Sequence, residues 1–120
     1  MIFKNPKKIL YKKLNTNSLL VIDENNNQYT GKKILKDTNS LINFFNRRKL
    51  FPIVEFNFEK KYLGLIVLLS CLFNNQKVYP NIEKKKIFKE SFLLKNDDQL
   101  KKILLQNRTK KKLFNFKDSN

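Results

Sequence analysis

Histidine, alanine and tryptophan are all absent from this chain, and glycine occurs only twice, at Gly31 and Gly64. Without histidine there is no imidazole to act as a general base or as a zinc ligand. Two isolated glycines do not make a glycine-rich loop of the kind that wraps a phosphate with backbone amides. Cys71 is the single cysteine, which excludes an intrachain disulfide. It lies in an apolar run with no base at hand, so it reads as a small core hydrophobe rather than a nucleophile. Long hydrophobic runs are missing as well. The longest covers residues 63–73, 11 residues, against about 20 for a membrane-spanning helix. No apolar segment with a small-residue cleavage site follows the basic N-terminus, so the expected location is the cytoplasm.

Acidic side chains are scarce: 10 Asp and Glu face 26 Lys and Arg, a formal charge of +16. Such a balance suits a polyanionic partner, whether nucleic acid, an anionic membrane or an acidic protein. Codon composition supplies the blander account. The abundant Lys, Asn, Ile and Phe have AT-rich codons, and the scarce residues have GC-rich ones. Charge of this origin bears on solubility and encounter, not on function. What remains is ample for a core. Hydrophobic residues make up 41% of the 120, enough to argue against wholesale disorder.

Along the chain, residues 1–18 read as a basic N-terminal arm or a short helix after Pro6, ending in a turn at 15–18. Residues 19–23 are apolar and β-branched, a strand. A polar cluster at 24–27 and a short return at 28–30 complete a hairpin, without the Asn-Gly pair of the tightest turns. Thr30 is a helix N-cap. Ile34, Leu35, Thr38, Leu41, Ile42 and Phe45 then recur at steps of three and four, which predicts a helix over 32–48 with one buried face. Arg47, Arg48 and Lys49 complement its C-terminal dipole. After Pro52, residues 53–58 read as a strand. Residues 59–74 read as a helix apolar nearly all round, and therefore buried. Residues 77–79 form a strand stopped by Pro80. Residues 82–95 fit no one pattern. Asp97 and Asp98 open a helix over 99–107. The basic tail from Arg108 to 120 is expected to fray. The order β-β-α-β-α-β-α predicts an α/β fold, a partial layered architecture with a partly parallel sheet.

Tyr29, Thr30 and Ile34, followed by Thr38, Asn39, Ser40, Leu41 and Ile42, then a strand at 53–56, form a sequence of landmarks. The most specific stretch is 68–80, LLSCLFNNQKVYP. Leu68, Leu69, Cys71, Leu72 and Pro80 fall in step with a Leu-Leu-Ala-Cys-Leu…Pro pattern, with Ser70 in place of Ala. Asn75 takes a helix-terminating Gly position, where Asn is the usual second choice. Over residues 19–107 the chain resembles the N-terminal region of the adenylate-forming (AMP-binding) superfamily. That superfamily includes acyl-CoA synthetases and the adenylation domains of peptide synthetases. The helix near Gln99 has a counterpart there. Departures are Gly31 for an aromatic, Lys33 for Glu, and a missing Gly near Arg48 and Lys49.

The resemblance implies scaffold and no catalytic, cofactor-binding or metal-binding residue. The family's phosphate loop, ribose Asp and catalytic Lys lie beyond the matched region. ATP and Mg are implied only for an enzyme completed by a complementing ligase polypeptide. The chain is then a truncated or split fragment, inactive alone, with self-association expected from its apolar helix and open sheet edge. The alternative is a small basic nucleic-acid-binding protein. It would use Lys84, Lys85, Lys86 and Lys110, Lys111, Lys112 on phosphates, with Phe88, Phe92, Phe114 and Phe116 stacking on bases. Such a protein gathers lysines and aromatics on one face, whereas a fragment scatters the lysines and buries the aromatics. Glu83 and Glu90, set among lysines, read as solvated.

Overall fold

The first two helices and the hairpin are each set by an identifiable local device. A computed structural model describes residues 5–48, 51–57, 60–83 and 85–117. The Asn5 side chain caps α1 (Pro6–Leu14) by accepting from the Lys7 N–H at 2.9 Å, with Pro6 in the first turn. Strands β1 (Leu19–Ile22) and β2 (Gln28–Thr30) pair antiparallel. In place of Asn-Gly, the Asp23 carboxylate accepts from the Asn25 and Asn27 N–H groups, both at 2.9 Å, and Asn26 takes the left-handed conformation at φ 62°. The Thr30 hydroxyl accepts from the Lys33 N–H at 3.1 Å, the expected cap of α2 (Gly31–Arg47). Gly31 is demanded by proximity. A Cβ there would sit 2.0 Å from the Leu14 carbonyl oxygen, so the aromatic that the family pattern prefers has no room.

Three strands form a parallel sheet in the order β4-β3-β5, with β3 (Ile53–Phe56) between β4 (Lys77–Pro80) and β5 (Ser91–Leu94). Val54 stands opposite Val78 on one side and Phe92 on the other. Helix α3 (Lys61–Phe73) links β3 to β4, and α4 (Asp97–Gln106) follows β5. The α/β class with a parallel sheet is therefore present, together with a separate antiparallel hairpin. Strand β5 lies in the stretch the sequence left unassigned. Lys49, Leu50, Phe58, Glu59 and Lys84 lie outside the described residues, as do 1–4 and 118–120. Among the described residues no helix is long and apolar enough to cross a membrane.

Alternation gives the central strand two different faces. Val54 and Phe56 are buried in the core with α2, α3 and α4. Glu55 points the opposite way and is fully buried, because the loop from β4 to β5 crosses over it. Its carboxylate accepts from the Asn81 side-chain amide at 2.8 Å and from the Ile87 and Phe88 N–H groups at 2.9 and 3.1 Å. The Ser91 hydroxyl donates to it as well. Burial pushes this carboxyl up, but the Ser91, Ile87, Phe88 and Asn81 hydrogen bonds outweigh it and hold the group below its ordinary value.

Helix α3 ends as a left-handed cap. Asn75 adopts φ 54° and the Gln76 N–H reaches the Cys71 carbonyl at 2.9 Å. The expectation of burial all round does not hold for this helix. Leu68 and Leu72, one turn apart, are 43% and 44% exposed. The core lies on one side of α3 only, so an all-apolar sequence leaves its outer face in water.

The tail is not frayed over the described residues. Phe114 and Phe116 each pack against Tyr11 and Phe73. The Asn39 side chain donates to the Lys111 carbonyl at 2.7 Å and accepts from the Leu113 N–H at 2.9 Å. The Lys7 ammonium, buried beneath, donates to the Lys117 carbonyl at 2.6 Å and to the Asn75 side chain. Scattered apolar residues among lysines mask this docking in the sequence, since the tail's partners are about 40 to 110 positions away.

Candidate functional site

A cleft of about 280 Å³ lies where the hairpin turn meets α2, the start of α3, and α4. Tyr29 from β2 and Tyr62 from α3 stack in one wall, with ring centroids 3.5 Å apart and planes 8° from parallel. Each phenol donates to its own carboxylate: Tyr29 to Asp23 at 3.0 Å and Tyr62 to Asp37 at 2.6 Å. Asp37 also pairs with Lys33, one helical turn earlier, at 3.1 Å. Leu63 and Leu104 form the apolar floor, and Leu105 stands beside them, 65% exposed. Lys60, Lys101 and Arg108 complete the rim and have no acidic partner among the described residues.

The hydrogen bonds in this cleft shift the titration of its phenols and of Asp23. Burial, reinforced by the bond to Asp23, pushes the Tyr29 phenol up to about 12. Burial and the bond to Asp37 push Tyr62 higher still. For Asp23, burial raises the carboxyl, but the Asn27, Tyr29 and Asn25 hydrogen bonds outweigh it and lower the value. At neutral pH the two phenols therefore stay protonated and Asp23 stays ionised. All three shifts lead away from neutrality, where a general acid or base works best.

A second, shallower groove of about 210 Å³ runs between α1, α2 and the docked tail. Lys32 and Lys36 of α2 face Lys110 and Lys112 of the tail across it, with Tyr11 and Phe114 in its lining and no acidic residue. The two lysine pairs are distant in sequence, and only the docking of the tail brings them together.

The other sequence-predicted residues fall as follows. Cys71 is buried in α3, and burial pushes its thiol up to about 12, which leaves it neutral and inert. Asp97 and Asp98 open α4, behind an Asn96 cap that accepts from the Gln99 N–H at 2.9 Å. Glu83 and Glu90 are exposed, as are Lys85, Lys86 and Lys110 to Lys112, while Lys84 lies outside the described residues. All four phenylalanines proposed for stacking on bases pack on other rings of the protein. Phe92 meets Phe44, Phe45 and Phe51, and Phe114 and Phe116 meet Phe73. Phe88 pairs edge-on with Tyr79 at 4.9 Å. Gly31 and Gly64 both lie within helices, so neither belongs to a phosphate loop.

Sequence reasoning missed the tyrosine cleft. Tyr29 entered only as a family landmark, and Tyr62 entered not at all. The i, i+4 spacing of Lys33 and Asp37 was the one local signal available. No family model matches this sequence, and no curated protein or solved structure matches it either.

Proposed function

We propose that the chain is the structural N-terminal portion of an adenylate-forming ligase, inactive alone and completed by further sequence or by a second polypeptide. The observation that carries the reading is the helix end at Asn75. The family pattern puts a helix-terminating Gly there, and Asn75 adopts the left-handed φ of 54° that such a position requires. The element order supports it further: hairpin, Thr30-capped α2, β3, α3, then β4 ending at Pro80. The outer edges of β4 and β5 have no strand partner among the described residues, and Leu68 and Leu72 face water. Both are features that a larger sheet and a second layer would cover. The described residues do not fit ATP and Mg, because there is no glycine-rich loop to hold phosphates. In this reading those ligands belong wholly to the complementing part.

The test is to translate the DNA downstream of codon 120 in all frames. A glycine-rich phosphate loop there, in this frame or the next gene, is the expected result. Co-expression of the two parts then restores ATP–pyrophosphate exchange that this chain alone lacks. Unrelated sequence downstream would sink the proposal.

A second reading is favoured by the lysine groove. Lys32, Lys36, Lys110 and Lys112 offer four cations to the phosphates of single-stranded nucleic acid. Four such contacts give a slope of log K against log salt of about −3. No binding to an oligonucleotide at ~50 mM salt eliminates this reading.

A further inference from the structure

The tyrosine cleft carries an inference that stands apart from both readings of the whole chain. Its two carboxylates are consumed internally: Asp23 by three backbone and side-chain partners besides Tyr29, Asp37 by Tyr62 and Lys33. Lys33 neutralises Asp37, and Asp23 stays ionised with its oxygens taken by neutral donors, so Lys60, Lys101 and Arg108 leave the lining with an excess of positive charge. A concave, partly apolar wall concentrates that positive field, because low-dielectric surroundings screen it less than open water does. Beside the cations, Leu105 is 65% exposed next to buried Leu63 and Leu104. A bare leucine at a cavity floor is a surface that an apolar body would cover. The volume of about 280 Å³ lies at the foot of the roughly 300–1,000 Å³ range of organic ligand sites. This size admits a single small ring or short chain and leaves no room for a dinucleotide.

We infer that this cleft binds a small organic anion, with its carboxylate or phosphate head on Lys60, Lys101 and Arg108 and its apolar body against Leu63, Leu104 and Leu105. Guanidinium suits such a head because it offers two parallel N–H donors to two oxygens. The Tyr29–Tyr62 stack, locked by its two carboxylates, keeps the wall in place and supplies the preorganisation that a weak small-ligand site needs.

The test uses the full chain and three probes: phenyl phosphate, inorganic phosphate and phenol. Titrations are followed by two-dimensional ¹⁵N–¹H NMR. The expected result is saturable binding of phenyl phosphate, with amide shifts concentrated at Tyr62, Leu63, Leu104 and Leu105, and weaker binding of either half alone. Lys101 and Arg108 are exposed, so Lys101→Ala and Arg108→Ala should fold normally. Each weakens phenyl phosphate by about fivefold, the effect of losing one solvent-screened charge contact. Lys86→Ala, on an exposed lysine outside the cleft, leaves binding unchanged. Inorganic phosphate binding as tightly as phenyl phosphate would overturn the inference, since bulk surface charge would then suffice. So would phenol matching phenyl phosphate, shifts spread away from the cleft, or an Arg108→Ala protein that binds normally.

Discussion

Replacing Glu55 with glutamine should cost this protein about 2 kcal/mol. The carboxylate is fully buried and accepts from four donors: the Asn81 amide, the Ile87 and Phe88 N–H groups and the Ser91 hydroxyl. Glutamine keeps one acceptor oxygen, which can still serve Asn81 and Ile87. Its amide nitrogen is then turned toward Ser91 and Phe88. The Ser91 hydroxyl adapts, since its single hydrogen can turn to the Phe88 carbonyl at 2.8 Å while its oxygen accepts from the amide. The Phe88 N–H cannot adapt and is left facing another donor. A buried unsatisfied N–H costs about 1–3 kcal/mol, hence the central figure. For a chain of this size that lowers the melting temperature by roughly 5–10 °C. Circular dichroism melts and urea titrations measure it, and hydrogen exchange should show lost protection at Ile87 and Phe88. The pH profile adds an independent check. The folded-state value is held below the ordinary 4.5, so its contribution is fully present above about pH 4.5 and drains away as pH falls through the lowered value. Asp23 adds a slope of the same sign, but both proteins share it. The difference between wild type and Glu55→Gln therefore isolates Glu55. A variant within about 0.5 kcal/mol of wild type at neutral pH, or one with an unchanged acid profile, would refute the account.

Thr38 is fully buried on α2, and its hydroxyl is the one buried side-chain polar atom among the described residues without a hydrogen-bond partner. Thr38→Val keeps the shape and removes the orphan, so it should stabilise by about 1 kcal/mol in urea unfolding; a loss of stability would show that the hydroxyl is satisfied in solution. The Tyr29 and Tyr62 phenols should stay un-ionised at pH 11 in a 295 nm titration, because their folded values lie well above the ordinary 10.0. The same raised values mean that their stabilisation is present below pH 10 and is lost as pH climbs past it, so the fold should soften in alkali. Tyr62→Phe removes the donor to Asp37 and should cost about 1–2 kcal/mol with less alkaline sensitivity. Cys71, with its thiol at about 12, should resist a disulfide reagent at pH 8 in the native state and react fully in denaturant. Fast native labelling would mean that α3 opens locally.

Element types were legible where one local cause decided them. Thr30 announced its helix because a hydroxyl at that point satisfies a free N–H whatever lies around it. Asn75 announced a helix end because few residues tolerate the left-handed turn. The periodic face of α2, from Ile34 to Phe45, is buried as its spacing requires. Strand β5 was not legible. Its four residues, Ser91–Leu94, carry no alternation, and their only cause is pairing with β3 and the anchoring of Ser91 to Glu55. Glu55, one acid inside the 53–58 strand, carries no local sign that it anchors the crossing loop.

The amino-acid order by itself thus determined the hairpin, the caps, the α/β class and the chemistry that is absent. Those depend on contacts a few residues apart or on which side chains exist at all. Only the tertiary structure decided which side of α3 meets water, that the tail docks, and that Tyr29, Asp37, Tyr62, Lys101 and Arg108 share one cleft. These arrangements rest on partners up to about 110 positions apart. Their energies arise only after the chain has closed the intervening loops, so no local pattern announces them.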